Sequence, residues 1–280
     1  MADLNDQVRR HLAALQAAGV DYVAALPQVA GVAPVAPPIK PLVEASADPR
    51  KPVPHPEVPA APAAVLTATL FEAVGTGLEV PTTPAGRATA LTVLSGEVAG
   101  CTRCPELAAK RTQTVFGVGP LSPDLCLIGE GPGADEDRLG EPFVGKSGQL
   151  LNKIVEAMGL KRDEVYLMNV VKCRPTTDAG ENRDPSAAES LNCRPYFDRQ
   201  LELVQPKLIV CLGGVAAGHL FQTKLGITKL RGEWREYNGT PVMCTFHPAA
   251  LLRNPEWKKE TWDDMKKVLA KLGRPVPGAK

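Results

Sequence analysis

The chain has 280 residues, of which 44% are hydrophobic, and its 32 Lys+Arg against 31 Asp+Glu give a formal net charge of +1. That length allows one or two domains with an ample core. With no run of about 18 apolar residues and no charged-then-apolar leader, neither a membrane span nor a signal peptide is expected. The near-zero total does not itself point to a polyanionic partner, but it hides a split: residues 1–90 carry 6 basic against 8 acidic side chains, and the rest carry 26 against 23. A mildly positive domain can still focus its basic groups on one face.

In chain order, LNDQVRRHLAALQAAGVDYV (4–23) has helical spacing, with Leu4, Val8, Leu12 and Leu15 on one face, so residues 1–24 are expected to hold a short amphipathic docking helix. Thirteen of the 27 prolines then fall between Pro27 and Pro84, mostly among Ala and Val. Such a stretch buries too little apolar surface to offset its ordering entropy, and residues 25–90 read as a PPII-leaning, disordered linker. From residue 91 the texture changes. LCLIGEG (125–131), VYLMNVV (165–171), KLIVCLGG (207–214) and PVMCTFHP (241–248) are compact apolar runs. Helical patterns lie between and after them at 148–160, 186–204, 214–222 and 256–273, and 274–280 is a tail. Strands alternating with helices predict an α/β domain over 91–273: a three-layer α/β/α sandwich with a mostly parallel four-stranded sheet. Ligands of such sheets bind beyond the carboxyl ends of the strands, which directs attention to GEGPGADED, NVVKCRP, LGG and HPAALLRNP.

Of the seven cysteines, Cys126, Cys211 and Cys244 sit inside apolar strands and read as small buried hydrophobes. Cys101 and Cys104 form a C-x-x-C in a polar setting, Cys173 follows a strand end, and Cys193 lies in a helical stretch. Four such thiols suggest a structural metal site, and spacing alone leaves zinc and an iron–sulfur cluster open. The loop 129–145 leaves a strand through three glycines and then carries Glu130, Asp135, Glu136, Asp137 and Glu141. Its carboxylates are a solvated face or a base and electrostatic stabiliser. Phe143 is a local anchor or a stacking platform. Asn169 and His247 stand at strand ends, where an amide and an imidazole have little structural reason to be. GEPFVGKS (140–147) matches the phosphate-loop pattern G-x-x-x-x-G-K-[ST]. Its strand, however, ends about ten residues too early and Glu141 would face the phosphates, so nucleotide binding is not expected. Lys146 and Ser147 would touch a DNA phosphate or simply begin the helix.

Taken in order, GEGPGADEDRLGEPFVGKSGQLL, NVVKCRP and HPAALLRNP resemble family 4 of the uracil-DNA glycosylase superfamily, over roughly residues 98–272. The resemblance implies a monofunctional glycosylase of base excision repair. It would flip uracil out of single- or double-stranded DNA and hydrolyse its glycosidic bond, in the cytoplasm, at the nucleoid, of a prokaryotic-type cell. It implies that Cys101, Cys104, Cys173 and Cys193 hold a structural [4Fe–4S] cluster, with zinc the lesser alternative. Glu130 and Gly131 would line the uracil pocket, Phe143 would stack on the base and Asn169 would read its edge. His247 would donate to the leaving base, and Glu136 would orient water or stabilise the sugar cation, with Asp135 and Asp137 as alternatives. Leu251, Leu252 and Arg253 would wedge into the duplex. CRPTTDAGENRDPSAAESLNC contains no His, so no stable covalent adduct is expected. Two competing readings are another deaminated base as substrate, and a metal-stapled nucleic-acid-binding module without catalysis. The N-terminal helix and linker suggest a protein partner.

Overall fold

The computed structural model describes residues 79–278. The helix expected over 4–23 and the Pro/Ala-rich chain before residue 79 lie outside the described residues. Helix α1 (Pro84–Ala99) opens the fold inside the stretch read as linker to residue 90. Thr83 caps it, its hydroxyl accepting the Gly86 N–H at 3.1 Å. Pro84 occupies the first turn, where no N–H is needed. There follow α2 (Pro105–Lys110), β1 (Leu125–Gly129), α3 (Ala134–Leu139), α4 (Lys146–Ala157), β2 (Tyr166–Asn169) and α5 (Ala187–Val204). The chain continues through β3 (Leu208–Leu212), α6 (Gly214–Phe221), α7 (Ile227–Leu230), β4 (Trp234–Tyr237), β5 (Thr240–Thr245), α8 (Pro248–Arg253) and α9 (Trp257–Lys271).

The sheet has five strands in the order β2-β1-β3-β5-β4 rather than the four expected. Strands β2, β1, β3 and β5 are parallel neighbours, and β4 pairs antiparallel with β5 at the edge. The hairpin that adds β4 turns through Asn238 and Gly239, both at positive φ (48° and 78°). Asn-Gly is the residue pair that such a tight turn favours.

Alternation along the parallel strands divides the core between the two faces. Cys126, Ile128, Ile209, Cys211, Val242 and Cys244 pack one way, against Phe197 and Leu201 of α5 and Ala216 and Leu220 of α6. Leu125, Leu127, Leu208, Val210 and Met243 pack the other way, against Leu151 and Val155 of α4 and Met265, Val268 and Leu269 of α9. Each fully buried aliphatic side chain contributes about 1.5–3 kcal/mol, so this two-sided burial is what fixes the strand ends. Cys126, Cys211 and Cys244 are wholly buried in it. A third cluster, Leu94, Val98, Tyr196 and Leu203, docks α1 on α5. From β1 the chain steps outward to β2 and then returns to the other side of β1 as β3. That reversal is the switch point at which open α/β sheets bind ligands. No helix among the described residues is long and apolar enough to cross a membrane.

Candidate active site

A cavity of about 620 Å³ opens at the carboxyl ends of β1, β2 and β5. Glu130, Gly131, Asp135, Glu136, Phe143, Asn169, His247, Leu252 and Arg253 all line it, as do Lys146 and Ser147 at the start of α4. Residues expected from three separate loops therefore converge on one site.

Gly129, the last residue of β1, makes the convergence possible. A Cβ there would collide with the Phe143 ring and with Asn169 Oδ1. Without one, ring and amide meet over the strand end. Phe143 is only 4% exposed and holds a left-handed backbone conformation, φ 56°. For a bulky residue that costs about 1–3 kcal/mol and persists only where surroundings enforce it. Glu136 is one enforcer. Its Oε1 accepts the N–H groups of Val144 (3.0 Å) and Gly145 (2.9 Å), and its Oε2 accepts that of Gly133 (3.1 Å). Three amide donors leave this carboxylate at most one lone pair. Asp137 is buried away from the cavity, both oxygens accepting the Thr112 N–H. Asp135 lines the cavity but is largely exposed, paired at 3.2 Å with Arg138.

Asn169 ends β2 with its backbone carbonyl held by Lys172 Nζ at 2.8 Å. Its side chain is buried at the cavity wall and, among the described residues, hydrogen-bonds to no protein group. His247 is the N-cap of α8, and its Nδ1 accepts the Ala249 N–H at 3.1 Å. That bond assigns the remaining proton to Nε2. Burial, helped by the nearby Arg253 charge, lowers the imidazole's pKa to about 4. At neutral pH the ring is therefore an uncharged Nε2–H donor. It stands 6.2 Å from Phe143, centroid to centroid.

The segment after Cys173 contributes Pro175, Asn182, Arg183 and Asp184 to the same cavity. Arg183 anchors this loop through a two-pronged pair with Glu189 (2.6 and 2.8 Å), and Ser186 and Glu189 cap α5 reciprocally. Sequence reasoning noted only the lack of His here and missed these four. Burial pushes the Glu130 carboxyl up to about 8, and the adjoining Asp184 carboxyl pushes the same way against Arg253. Glu130 thus presents a protonated acid near neutral pH, not merely backbone.

The expected wedge divides. Leu252 is 47% exposed at the cavity rim, but Leu251 is 0% exposed. Leu251 cannot enter a duplex without leaving the core; successive residues of α8 point in different directions, so only one of the two leucines faces out. GEPFVGKS is not a phosphate loop. Helix α3 separates it from β1, and Glu141 pairs with Arg162 at 2.8 Å.

Cys101, Cys104, Cys173 and Cys193 line a second, small cavity where the α1–α2 connection, the end of β2 and α5 meet. Among the described residues, no group of three or more His, Cys, Asp or Glu closes around a single ion. The surroundings nevertheless fit thiolates. Arg111 donates to Cys173 Sγ at 3.1 Å and Asn192 to Cys104 Sγ at 3.5 Å. Lys172 is 1% exposed, and burial lowers its pKa to about 8, with the neighbouring Cys193 and Cys126 acting in the other direction. Burial raises the thiols of Cys104 and Cys173, and that of Cys193 to about 11. A bound cationic centre is what would make them thiolates.

Residues 116–266 match the profile of the Uracil DNA glycosylase superfamily. A type-4 uracil-DNA glycosylase of Sulfurisphaera tokodaii is 42% identical over 182 residues, covering 61% of this chain and 80% of that one. Type-4 uracil-DNA glycosylases of Archaeoglobus fulgidus (38% over 189 residues; 65% and 92% covered) and Thermotoga maritima (39% over 180 residues; 63% and 91% covered) are similar in the same way. Profile, relatives and the order of the site loops agree, and the chain belongs to the uracil DNA glycosylase superfamily, alongside its type-4 members.

Proposed function

We propose that this protein is a DNA repair enzyme that flips uracil out of DNA and hydrolyses its N-glycosidic bond, leaving an abasic site. The observation that carries the reading is the meeting of a free Asn169 amide, the Phe143 ring and an uncharged His247 donor in one cavity at the strand ends. Extruding a base costs a few kcal/mol, and stacking on Phe143 returns about 1–3 kcal/mol. The Asn169 amide pairs with uracil O4 and N3–H; cytosine presents a donor and an acceptor in the reverse order and is rejected. As the C1′–N1 bond breaks, its electrons pass to the base, and the His247 Nε2–H donates to O2 of the anion. A well-placed donor of this kind contributes about 3–4 kcal/mol. Water attacks C1′; its oxygen becomes the C1′ hydroxyl of the abasic sugar, and the proton it loses passes to the departing uracil anion, which leaves as neutral uracil. Glu136 acts with its remaining lone pair and its negative charge beside the sugar cation. Lys146, Ser147 and Arg253 meet the DNA backbone, and Leu252 alone of the two leucines fills the stack. No His faces the cavity from residues 173–193, in keeping with hydrolysis without a lasting adduct; a protein–DNA species surviving denaturation contradicts it.

In this reading the four cysteines hold a [4Fe–4S] cluster whose part is structural, tying α1–α2, β2 and α5 together. Lys172, buried beside these cysteines, would balance the negative charge of such a cluster. The substrate is tested with oligonucleotides bearing uracil, hypoxanthine, thymine opposite guanine, or cytosine. Release of uracil alone supports the assignment. Release of hypoxanthine or thymine in preference to uracil replaces it, and binding with no base released supports a non-catalytic module.

A further inference from the structure

Arg162 stands outside the cavity, in a single turn (Arg162–Glu164) just ahead of β2. Its guanidinium nevertheless makes four contacts to the loop that carries Phe143 and to the helix behind it. Nη2 donates to the Pro142 carbonyl at 2.7 Å and to Glu141 Oε1 at 2.8 Å; Nη1 donates to the Phe143 carbonyl at 3.3 Å and to Asn152 Oδ1 at 2.9 Å. From the opposite side, Glu136 takes the N–H groups of Val144 and Gly145. A cation thus holds the carbonyls on one side of the Phe143 turn, and an anion holds the N–H groups on the other. Gly148 completes the seat, since a Cβ there would strike the Phe143 carbonyl. None of these groups changes the ring itself. They fix the backbone conformation, φ 56°, that a phenylalanine does not adopt unaided.

The geometry points to Arg162 as a positioning residue for base capture: its planar fork holds Phe143 in the strained turn that presents the ring to the flipped base. The inference rests on the proposal that Phe143 stacks on uracil. A lysine would keep the charge but not the fork, which reaches two carbonyls, a carboxylate and an amide at once. The loop matching the phosphate-binding pattern is then a buttressed aromatic platform, and its Pro, Phe and Gly serve that turn.

The test is a double-mutant cycle on the full-length holoenzyme with R162M, R162K and F143A, read by kcat/KM on a uracil oligonucleotide and by the inhibition constant of free uracil. R162M is expected to lower kcat/KM and raise the uracil inhibition constant about tenfold or more, with R162K intermediate. In the F143A background both substitutions should have little further effect, because the ring they position is gone. Equal losses with and without Phe143 would mean that Arg162 acts elsewhere, and an unchanged inhibition constant in R162M would overturn the role outright. Should R162M not fold, R162K decides: wild-type behaviour in R162K refutes the fork. An F143A single variant with full activity and unchanged uracil inhibition would instead refute stacking, a separate failure.

Discussion

Replacing Glu136 by glutamine tests how the site is held together. The carboxylate accepts three backbone N–H groups, two at Oε1 and one at Oε2. A glutamine offers one oxygen and one NH2. Its better orientation keeps Val144 and Gly145 on the oxygen and turns the NH2 against the Gly133 N–H, donor to donor. One hydrogen bond to a charged group is lost, at about 1.5–3 kcal/mol, and two more drop from charged to neutral strength, at roughly 1 kcal/mol each. The expected loss is about 3.5–5 kcal/mol, with E136A at or above the upper end because all three donors lose their partner. Part of this loosens the Phe143 turn, so activity and free-uracil inhibition should weaken along with stability. Denaturant unfolding gives the stability, and single-turnover excision on a uracil oligonucleotide gives the rate. If E136Q unfolds at the wild-type midpoint, the carboxylate is not a brace and the hydrogen-bond reasoning fails. If it loses stability but excises at the wild-type rate, Glu136 has no part near the sugar.

The other expectations follow from burial and charge. L251A should cost about 2–5 kcal/mol in unfolding free energy as a core truncation, whereas L252A should leave stability within about 0.5 kcal/mol and weaken excision from duplex more than from single strands; matched stability losses would restore both leucines to one role. His247 titrates near 4 in the fold against about 6.5 unfolded. As pH falls through that window the unfolded chain takes up a proton that the folded chain refuses, so stability declines by roughly 3 kcal/mol toward pH 4, and H247Q should flatten that part of the profile. Glu130 loses its proton near pH 8, which puts a negative charge beside the anionic leaving base, so excision should fall as pH rises through that value. D184N should move the transition downward, partially, because burial is the larger cause; an unmoved transition removes Asp184 from the pair. C193S should lower bound iron and its visible absorbance together with thermal stability, and retention of both would exclude that cysteine as a ligand.

Much of this was legible in the sequence because it rests on local pattern. Apolar runs ending in Gly, Asn or His located the strands and, with them, the strand-end site. Polar context separated Cys101, Cys104, Cys173 and Cys193 from the three core cysteines. What was missed depends on chain that returns from elsewhere. Glu136 reads as a free acid until the turn at 143–145 folds back onto it. Asp184 meets Glu130 only because Arg183 and Glu189 fix the intervening loop. Two misses had local signals. Asn238-Gly239 marks the hairpin that adds β4, and Thr83-Pro84 marks the start of α1 inside a proline-rich stretch. Leu251 and Leu252 were also separable, since adjacent residues of a short helix do not share a face.

Incubating the purified full-length protein with a labelled oligonucleotide bearing one uracil, then assaying free uracil and alkali-induced scission, decides whether the strand-end cavity excises the base. Stoichiometric uracil release and scission at that position alone are expected, both strongly reduced in N169A and H247A. An intact strand and no free uracil, from protein with its full iron content, would contradict excision at this site.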